Sequence, residues 1–433
     1  MKDYFDEIIG YEDIKKELRT ISDMLNNPEI YRKLGAGIND GLILSGKPGT
    51  GKTTMANCLI QSTGRNAFVC RKKASDGEFV KTITDTFEDA KRQTPSIVLL
   101  DDLDKFSDLS NKSNHSNHRE ENDTEEFVTV QSCMDEIKDL DVFVIATVNE
   151  IKKLPDSLLR AGRFGKKLTI RLPEQDEAKI IVDHYLKKTN ICDEIDAEPV
   201  ARMLYGESCA TLESVINNAA IKAAYNRQEK VSMQNIVDSC LDLIFHAPER
   251  SKKLSEGFLK KIAYHEAGHA IVSELLDPGS VSILSIRETN GGSYGFVRYY
   301  RSDENEDCSA EYNEIMIKVS LAGRAATEMV FGETDMGANG DLHNAFDKAE
   351  YLVDNQCMYG FQNWIQDWRD ACAAENRNRA MAMLLEKNYL EVKKLLVEHR
   401  VLLDKMVAEA LSKTTLVLTD IQKIMNENTD KAV

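Results

Sequence analysis

The chain has no C-x-x-C pair, and its nine cysteines are odd in number and scattered, so nothing supports a disulfide framework or a cysteine-built zinc site. That usage leads us to expect a reducing, cytoplasmic setting. Long hydrophobic runs are also missing. The longest apolar stretches, 97–100 and 142–148, fall far short of the ~20 residues that cross a bilayer, and no signal peptide precedes them. Positive charge is in deficit, with Lys+Arg 55 against Asp+Glu 72 for a net charge of −17. Such a balance argues against a nucleic-acid backbone as main partner and favours a protein-directed activity. Internal repeats are absent too.

What is present is length: 433 residues correspond to roughly two to four domains with sizeable cores. Between 41 and 172 the short β-type runs GLILSG, AFVCR, SIVLL, VFVIATV and KKLTIRL alternate with helical stretches. That alternation predicts a parallel sheet with crossover helices. A polar stretch at 107–126 interrupts it and reads as a surface loop, in which His115 and His118 are solvated rather than metal-binding. After Pro173, apolar residues recur at helical spacing to about 245, which predicts a small helical domain over 173–249. A polar, basic stretch at 248–254 then leads into a further unit, 250–433. That unit begins with a helix over 257–276, closed by Pro278-Gly279, continues through a β-rich patch at 281–300 and is otherwise mostly helical.

Gly46-Lys47-Pro48-Gly49-Thr50-Gly51-Lys52-Thr53 matches G-x-x-x-x-G-K-[ST] between a predicted strand and a predicted helix, where a phosphate-cradling loop belongs. Its glycines let backbone N–H groups wrap a phosphate, Lys52 adds a point charge, and Thr53 is a magnesium ligand. A strand ending Asp101-Asp102 sets a magnesium-holding acid beside an acid that orients or deprotonates water. Asn149 ends the next strand, within reach of a γ-phosphate or simply as a turn residue. Arg160 and Arg163, three apart, suit transition-state charge on a neighbouring subunit's nucleotide, or a solvated helix end.

His265-Glu266-Ala267-Gly268-His269 is H-E-x-x-H inside a helical pattern. Spacing of i, i+4 sets both imidazoles on one face for a single zinc ion, with Glu266 placed as general base. A third ligand is required, and no histidine follows before His343, so a distant carboxylate is expected. Asp341 fits, with Glu328, Glu333 and Asp335 as competitors.

These residues resemble the FtsH-type ATP-dependent zinc metalloproteases of the AAA+ class, through YFDEIIGYEDIKKEL, GKPGTGKTT, LLDDLD, LLRAGRF, AYHEAGHA, LAGRAATEMVFGE and GANGDL, in that order from 5 to about 361. The resemblance implies an α/β parallel-sheet AAA+ ATPase domain (1–172) with a helical lid (173–249), followed by a mostly α-helical zinc metallopeptidase domain (250–433). It implies a homo-hexamer that hydrolyses ATP with Mg²⁺ and threads unfolded or damaged protein to zinc sites. Ile8, Ile9 and Gly10 match the adenine pocket. Pro48, Gly49, Thr50, Gly51, Lys52, Thr53 and Thr54, with Asp101, match the nucleotide–magnesium set, Asn149 the γ-phosphate sensor, and Arg160 and Arg163 the arginine fingers. His265, His269 and Asp341 match the zinc ligands and Glu266 the base. Four departures stand out. Asp102 replaces the usual glutamate, which implies slower hydrolysis. RKKASDGEFVKT leaves Phe79 as the remnant of the substrate-gripping loop, free either to grip or to pack. Asn339-Gly340 precedes Asp341, and this sequence starts almost directly on the motor's first motif, where family members carry membrane helices. Either a soluble variant or a fragment whose anchor was removed is therefore expected, with membrane contact only through a removed or partner anchor. These departures motivate an alternative, an AAA+ remodelling machine with weak or absent peptidase activity.

Overall fold

The computed structural model describes residues 3–36, 41–72, 78–106, 124–160, 162–192, 195–249, 254–300, 309–333, 338–360 and 371–427. Most of the polar stretch at 107–126, including His115 and His118, lies outside them, as do 73–77, 250–253, Asp335 and 361–370. Contacts divide the chain into two compact units, 1–188 with 206–214, and 189–205 with 215–433. Among the described residues no helix is long and apolar enough to cross a membrane.

The first unit holds α1 (Glu12–Asn26), α2 (Pro28–Lys33), β1 (Gly41–Gly46), α3 (Lys52–Thr63), β2 (Asn66–Arg71), α4 (Phe79–Arg92), β3 (Ser96–Asp101), α5 (Glu125–Glu136), β4 (Val142–Val148), β5 (Lys166–Ile170) and α6 (Gln175–Lys187). Its strands form one parallel sheet in the order β2-β3-β4-β1-β5. Both β3 and β4 are buried along their whole length, which is why they read as unbroken apolar runs rather than alternating ones. Because β3, β4 and β1 are neighbours, the residues leaving their carboxyl ends, Asp101, Asn149 and the loop after Gly46, meet at one sheet edge, the usual ligand edge of such sheets. Phe79 is 6% exposed and meets the Phe106 ring edge-on at 4.7 Å, so it packs in the core. The predicted loop ends early, since Glu125 and Glu126 already open α5.

The remaining elements are α7 (Ala197–Met203), α8 (Cys209–Tyr225), α9 (Met233–Leu243), α10 (Glu256–Leu276), β6 (Val281–Ser285), β7 (Phe296–Tyr299), α11 (Ala310–Phe331), α12 (Asn339–Asp354), α13 (Ala371–Glu398), α14 (Arg400–Lys413), β8 (Thr415–Val417) and α15 (Leu418–Asn426). All belong to the second unit except residues 209–214 at the start of α8. Ser255 caps α10 by accepting from Phe258 N, and from Ile262 to Glu274 the helix is buried on nearly every face, as a central helix is. Its Ile262, Ala263, Ala267, Ala270, Ile271 and Val272 anchor the core of the unit. The helix stops at Asp277, where Glu274 accepts hydrogen bonds from Gly279 N (2.9 Å) and Val281 N (2.8 Å) and so joins it to β6. A small antiparallel sheet, β7-β6-β8, lies alongside.

Candidate active sites

Each unit carries one constellation of polar side chains. In the first, the chain leaves β1, turns through 47–51 and enters α3, where Gly51 takes φ +89, a conformation that costs other residues steric strain. The loop is tightly held. A Cβ on Gly49 would stand 2.5 Å from Ser208 Oγ, Ala210 N donates to Gly49 O (3.1 Å), and Thr50 Oγ1 donates to Lys47 O (2.9 Å). Pro48 and Thr54 are exposed.

Lys52 is buried and donates to Gly46 O (2.8 Å), Lys47 O (2.9 Å) and Asn149 Oδ1 (2.9 Å). Burial pulls its ammonium below the ordinary range, against the opposing charges of Asp102, Asp104 and Asp101. Asp101 Oδ1 accepts from Thr53 Oγ1 (3.1 Å) and Thr147 Oγ1 (2.8 Å). Asp102 adopts φ +58. It accepts from Lys105 Nζ (2.9 Å), Asn149 Nδ2 (3.2 Å) and Arg71 Nη2 (3.4 Å). Burial alone would raise its carboxyl, but Lys105, Arg71 and Asn149 override it and hold it low. A carboxylate held that way suits orienting a water better than accepting its proton.

Asp104 is the residue that sequence reasoning passed over. It is 6% exposed and accepts from the backbone of Asn149 (3.2 Å) and Glu150 (3.3 Å). Its only signal was a third acid in Asp101-Asp102-Leu103-Asp104.

Ile8 is buried, Ile9 half-buried, and Gly10 takes φ +73 against Glu177 on α6. Tyr11 next to them donates through its hydroxyl to Arg171 O (3.0 Å) and lies 3.4 Å from Cys209 Sγ. Since Cys209 adjoins Ala210, the stretch 8–11 and the phosphate-type loop converge on the first turn of α8. Arg160 is exposed. Arg163 is not free: it donates to Ser157 O (2.7 Å) and to both carboxylate oxygens of Asp135 on α5 (2.8 and 3.3 Å). Arg163 first, then Lys138, holds the Asp135 carboxyl at about 2.

In the second unit, His265 and His269 stand one turn apart on α10, their Nε2 atoms 3.1 Å apart. Asp341, in the first turn of α12, places Oδ2 3.1 Å from His265 Nε2 and 3.3 Å from His269 Nε2. One ligand atom from each of the three lies within 4.8 Å of the others. His269 Nδ1 lies 2.7 Å from Val319 O on α11. A carbonyl can only accept, so Nδ1 carries the proton and Nε2 offers its lone pair to the cluster.

The charges around the cluster favour positive charge at this point. Burial would lower His269, but the hydrogen bond and charge of Asp341, with Glu266, carry it up to about 9. Burial would raise Asp341, yet the two imidazoles pull it far below the carboxylate range. Such a set binds a proton tightly, and a divalent cation satisfies the same field. Two imidazoles and one carboxylate are also the donor chemistry of an open, catalytic zinc site. Glu266 is buried beside them, its carboxyl raised chiefly by burial, with the imidazoles opposing and Asp341 adding.

Two glycines make room for this centre. A Cβ on Gly323 would stand 2.4 Å from His269 Nε2, and one on Gly268 2.7 Å from Ala322 O, so α10 and α11 pack almost backbone to backbone. Of the competing carboxylates, Asp335 lies outside the described residues and the other two are engaged elsewhere. Glu328 pairs with Tyr389 and Lys393, and Glu333 pairs with Lys261.

Comparison with known proteins agrees with both constellations. Residues 42–172 match the ATPase family associated with various cellular activities (AAA), and residues 252–424 match peptidase family M41. The chain is 29% identical to ATP-dependent zinc metalloprotease FtsH 3 of Symbiobacterium thermophilum, over 98% of this chain and 71% of that protein. It is 30% identical to FtsH of Pelobacter propionicus, over 89% of this chain and 62% of that protein. With FtsH of Helicobacter pylori strain J99 the identity is 28%, over 98% and 70%. The chain thus spans about two thirds of the length of these relatives. With the two family matches in the same order along one chain, each covering the constellation its chemistry requires, the chain belongs to the FtsH-type AAA+ zinc metalloproteases.

Proposed function

We propose that this chain is an ATP-driven zinc endopeptidase that unfolds, moves and cuts protein substrates. The observation that carries this reading is the meeting of His265, His269 and Asp341 beside the buried carboxyl of Glu266. Zinc held by those three residues supplies Lewis-acid polarisation of the scissile carbonyl and acidifies water. Glu266, its carboxyl raised by burial, takes a proton from the attacking water and returns it to the leaving amine. The Val319 carbonyl keeps His269 in the tautomer the centre needs.

In the motor, Lys52 and the loop 48–54 bind the ATP phosphates, Thr53 and Asp101 hold Mg²⁺, Asp102 orients water, and Asn149 bridges that water to the γ-phosphate. Ile8, Ile9 and Gly10 receive the adenine. In a homo-hexamer, Arg160 and Arg163 reach a neighbour's nucleotide, with Asp135 setting the reach of Arg163. Residues 1–172, 173–249 and 250–433 serve as motor, lid and peptidase, in a cytoplasmic setting consistent with the cysteine usage.

Casein degradation with zinc, measured with and without ATP and in Glu266→Gln, tests the reading. Cleavage that needs ATP and vanishes in Glu266→Gln is expected. ATP hydrolysis with no cleavage in any condition would replace it with the remodelling alternative.

A further inference from the structure

Three aspartates close the carboxyl edge of β3, and the third has no role in the nucleotide chemistry just described. Asp104 sits in a short helical turn, 103–105, directly after Asp102. Its side chain is buried to 6% exposure and its two oxygens face two backbone donors just past the end of a different strand, β4. Oδ1 accepts from Asn149 N at 3.2 Å and Oδ2 from Glu150 N at 3.3 Å. These are the first N–H groups beyond β4, where the sheet ladder no longer supplies partners, and a buried N–H left unpaired is costly. Asp104 therefore fixes the backbone at the point where β4 ends.

The consequence lies one side chain further on. Asn149 Oδ1 accepts from Lys52 Nζ at 2.9 Å and its Nδ2 donates to Asp102 Oδ1 at 3.2 Å. Asn149 thus spans the phosphate-binding lysine and the water-orienting acid, and a short side chain spans such a gap only if its backbone is held. Thr147, two residues earlier, ties the same strand to the other acids by donating to Asp101 Oδ1 (2.8 Å) and accepting from Asp102 N (2.8 Å). The strand end is clamped on both sides of Val148.

We propose that Asp104 is a positioning residue for ATP hydrolysis, setting through the amides of residues 149 and 150 where Asn149 holds Lys52 and Asp102. The inference rests on the reading of the first unit as an ATP hydrolase. It assigns Asp104 no contact with nucleotide. Replacing it with asparagine keeps the shape but turns one oxygen into a donor facing a donor, so one of the two tethers is lost and Asn149 drifts. Displacements of an ångström at a reacting centre cost up to about a hundredfold in rate.

The test is steady-state Mg-ATP hydrolysis by the full chain in wild type, Asp104→Asn, Asn149→Ala and the double variant. A wild type without ATPase activity overturns the hydrolase reading itself. With an active wild type, Asp104→Asn is expected to lower kcat roughly ten- to a hundredfold while the KM for ATP changes less than about threefold. A general loss of folding would move both together. Asn149→Ala should fall similarly, and the double variant should be no slower than the slower single, because one residue acts through the other. A wild-type kcat in Asp104→Asn, or losses that multiply, overturns the proposal. Should Asp104→Asn not fold, hydrogen exchange in the wild type decides. Slow exchange at the amides of 149 and 150 supports the tether, and exchange as fast as in exposed loops overturns it.

Discussion

Gly323 faces both imidazoles, and a methyl group there would come within 2.7 Å of His265 Nε2 and closer still to His269. The imidazoles have nowhere to retreat, because His269 is pinned through Nδ1 to Val319 O and α10 is pressed on α11 at Gly268. Alanine is otherwise favoured over glycine inside a helix by about 1 kcal/mol. Gly323→Ala is therefore expected to keep the fold while lowering zinc affinity roughly ten- to a hundredfold, the range seen when residues supporting a metal's ligands are changed. Metal content after dialysis against a weak chelator reads this directly. The second residue-scale expectation concerns Asp102, whose carboxylate is tied to Lys105, Arg71 and Asn149. Glutamate reaches one methylene farther and seats water better, so Asp102→Glu should raise the ATPase rate. An unchanged rate would show that the shorter acid is no handicap.

Elements are held in place here by carboxylates that receive backbone or guanidinium donors. Asp135 on α5 takes both ends of the Arg163 guanidinium, so Asp135→Asn should loosen that arginine. If Arg163 serves a neighbour's nucleotide, ATPase activity falls while nucleotide affinity of the separate subunit stays. Glu274 on α10 accepts two backbone N–H groups at the turn into β6. An amide there sets donor against donor, and Glu274→Gln should cost on the order of 1–3 kcal/mol in denaturant unfolding. Burial, outweighing those two donors, raises the Glu274 carboxyl above its ordinary value. A raised folded pKa contributes stability that is complete below the unfolded pKa and is lost as pH rises through the folded one. The advantage of wild type over Glu274→Gln should therefore be largest in acid and shrink toward neutrality. The five strands of the first sheet and the helix bearing H-E-x-x-H were legible in sequence because their signals are local: buried apolar runs, a glycine loop, an i, i+4 spacing. Asp341 was legible only as one of several carboxylates, because its meeting with the histidines 72 residues earlier (341 − 269) is made by helix packing. Asp135 and Asp104 left almost no trace, since their partners lie on another element or in the backbone. In sequence Phe79 suits gripping and packing equally well, and only its contact with the Phe106 ring, made by a residue 27 positions on (106 − 79), separates the two.

At the scale of the whole chain, the two constellations stand in separate compact units with separate cores, one around Val98, Val144 and Phe127 and the other around Ala267, Val272 and Ala322. His265, His269 and Asp341 all belong to the second unit, and the phosphate-loop residues all belong to the first. The two chemistries are thus expected to be separable by point mutation. Lys52→Ala removes the ammonium that the phosphate loop is built around, and it should abolish ATP-dependent degradation of a folded substrate. Zinc content and cleavage of a short unstructured peptide, which needs no pulling, should remain within about twofold, since sites without shared partners act independently. Glu266→Gln should do the reverse, abolishing peptide cleavage and leaving basal ATP hydrolysis intact. Measured side by side, the two variants distinguish a motor coupled to a self-sufficient peptidase from a peptidase whose metal centre forms only with nucleotide bound. Loss of zinc from Lys52→Ala, or failure of that variant to cut the short peptide, would establish the second arrangement, because the cluster of His265, His269 and Asp341 would then depend on the state of a loop with which it shares no core.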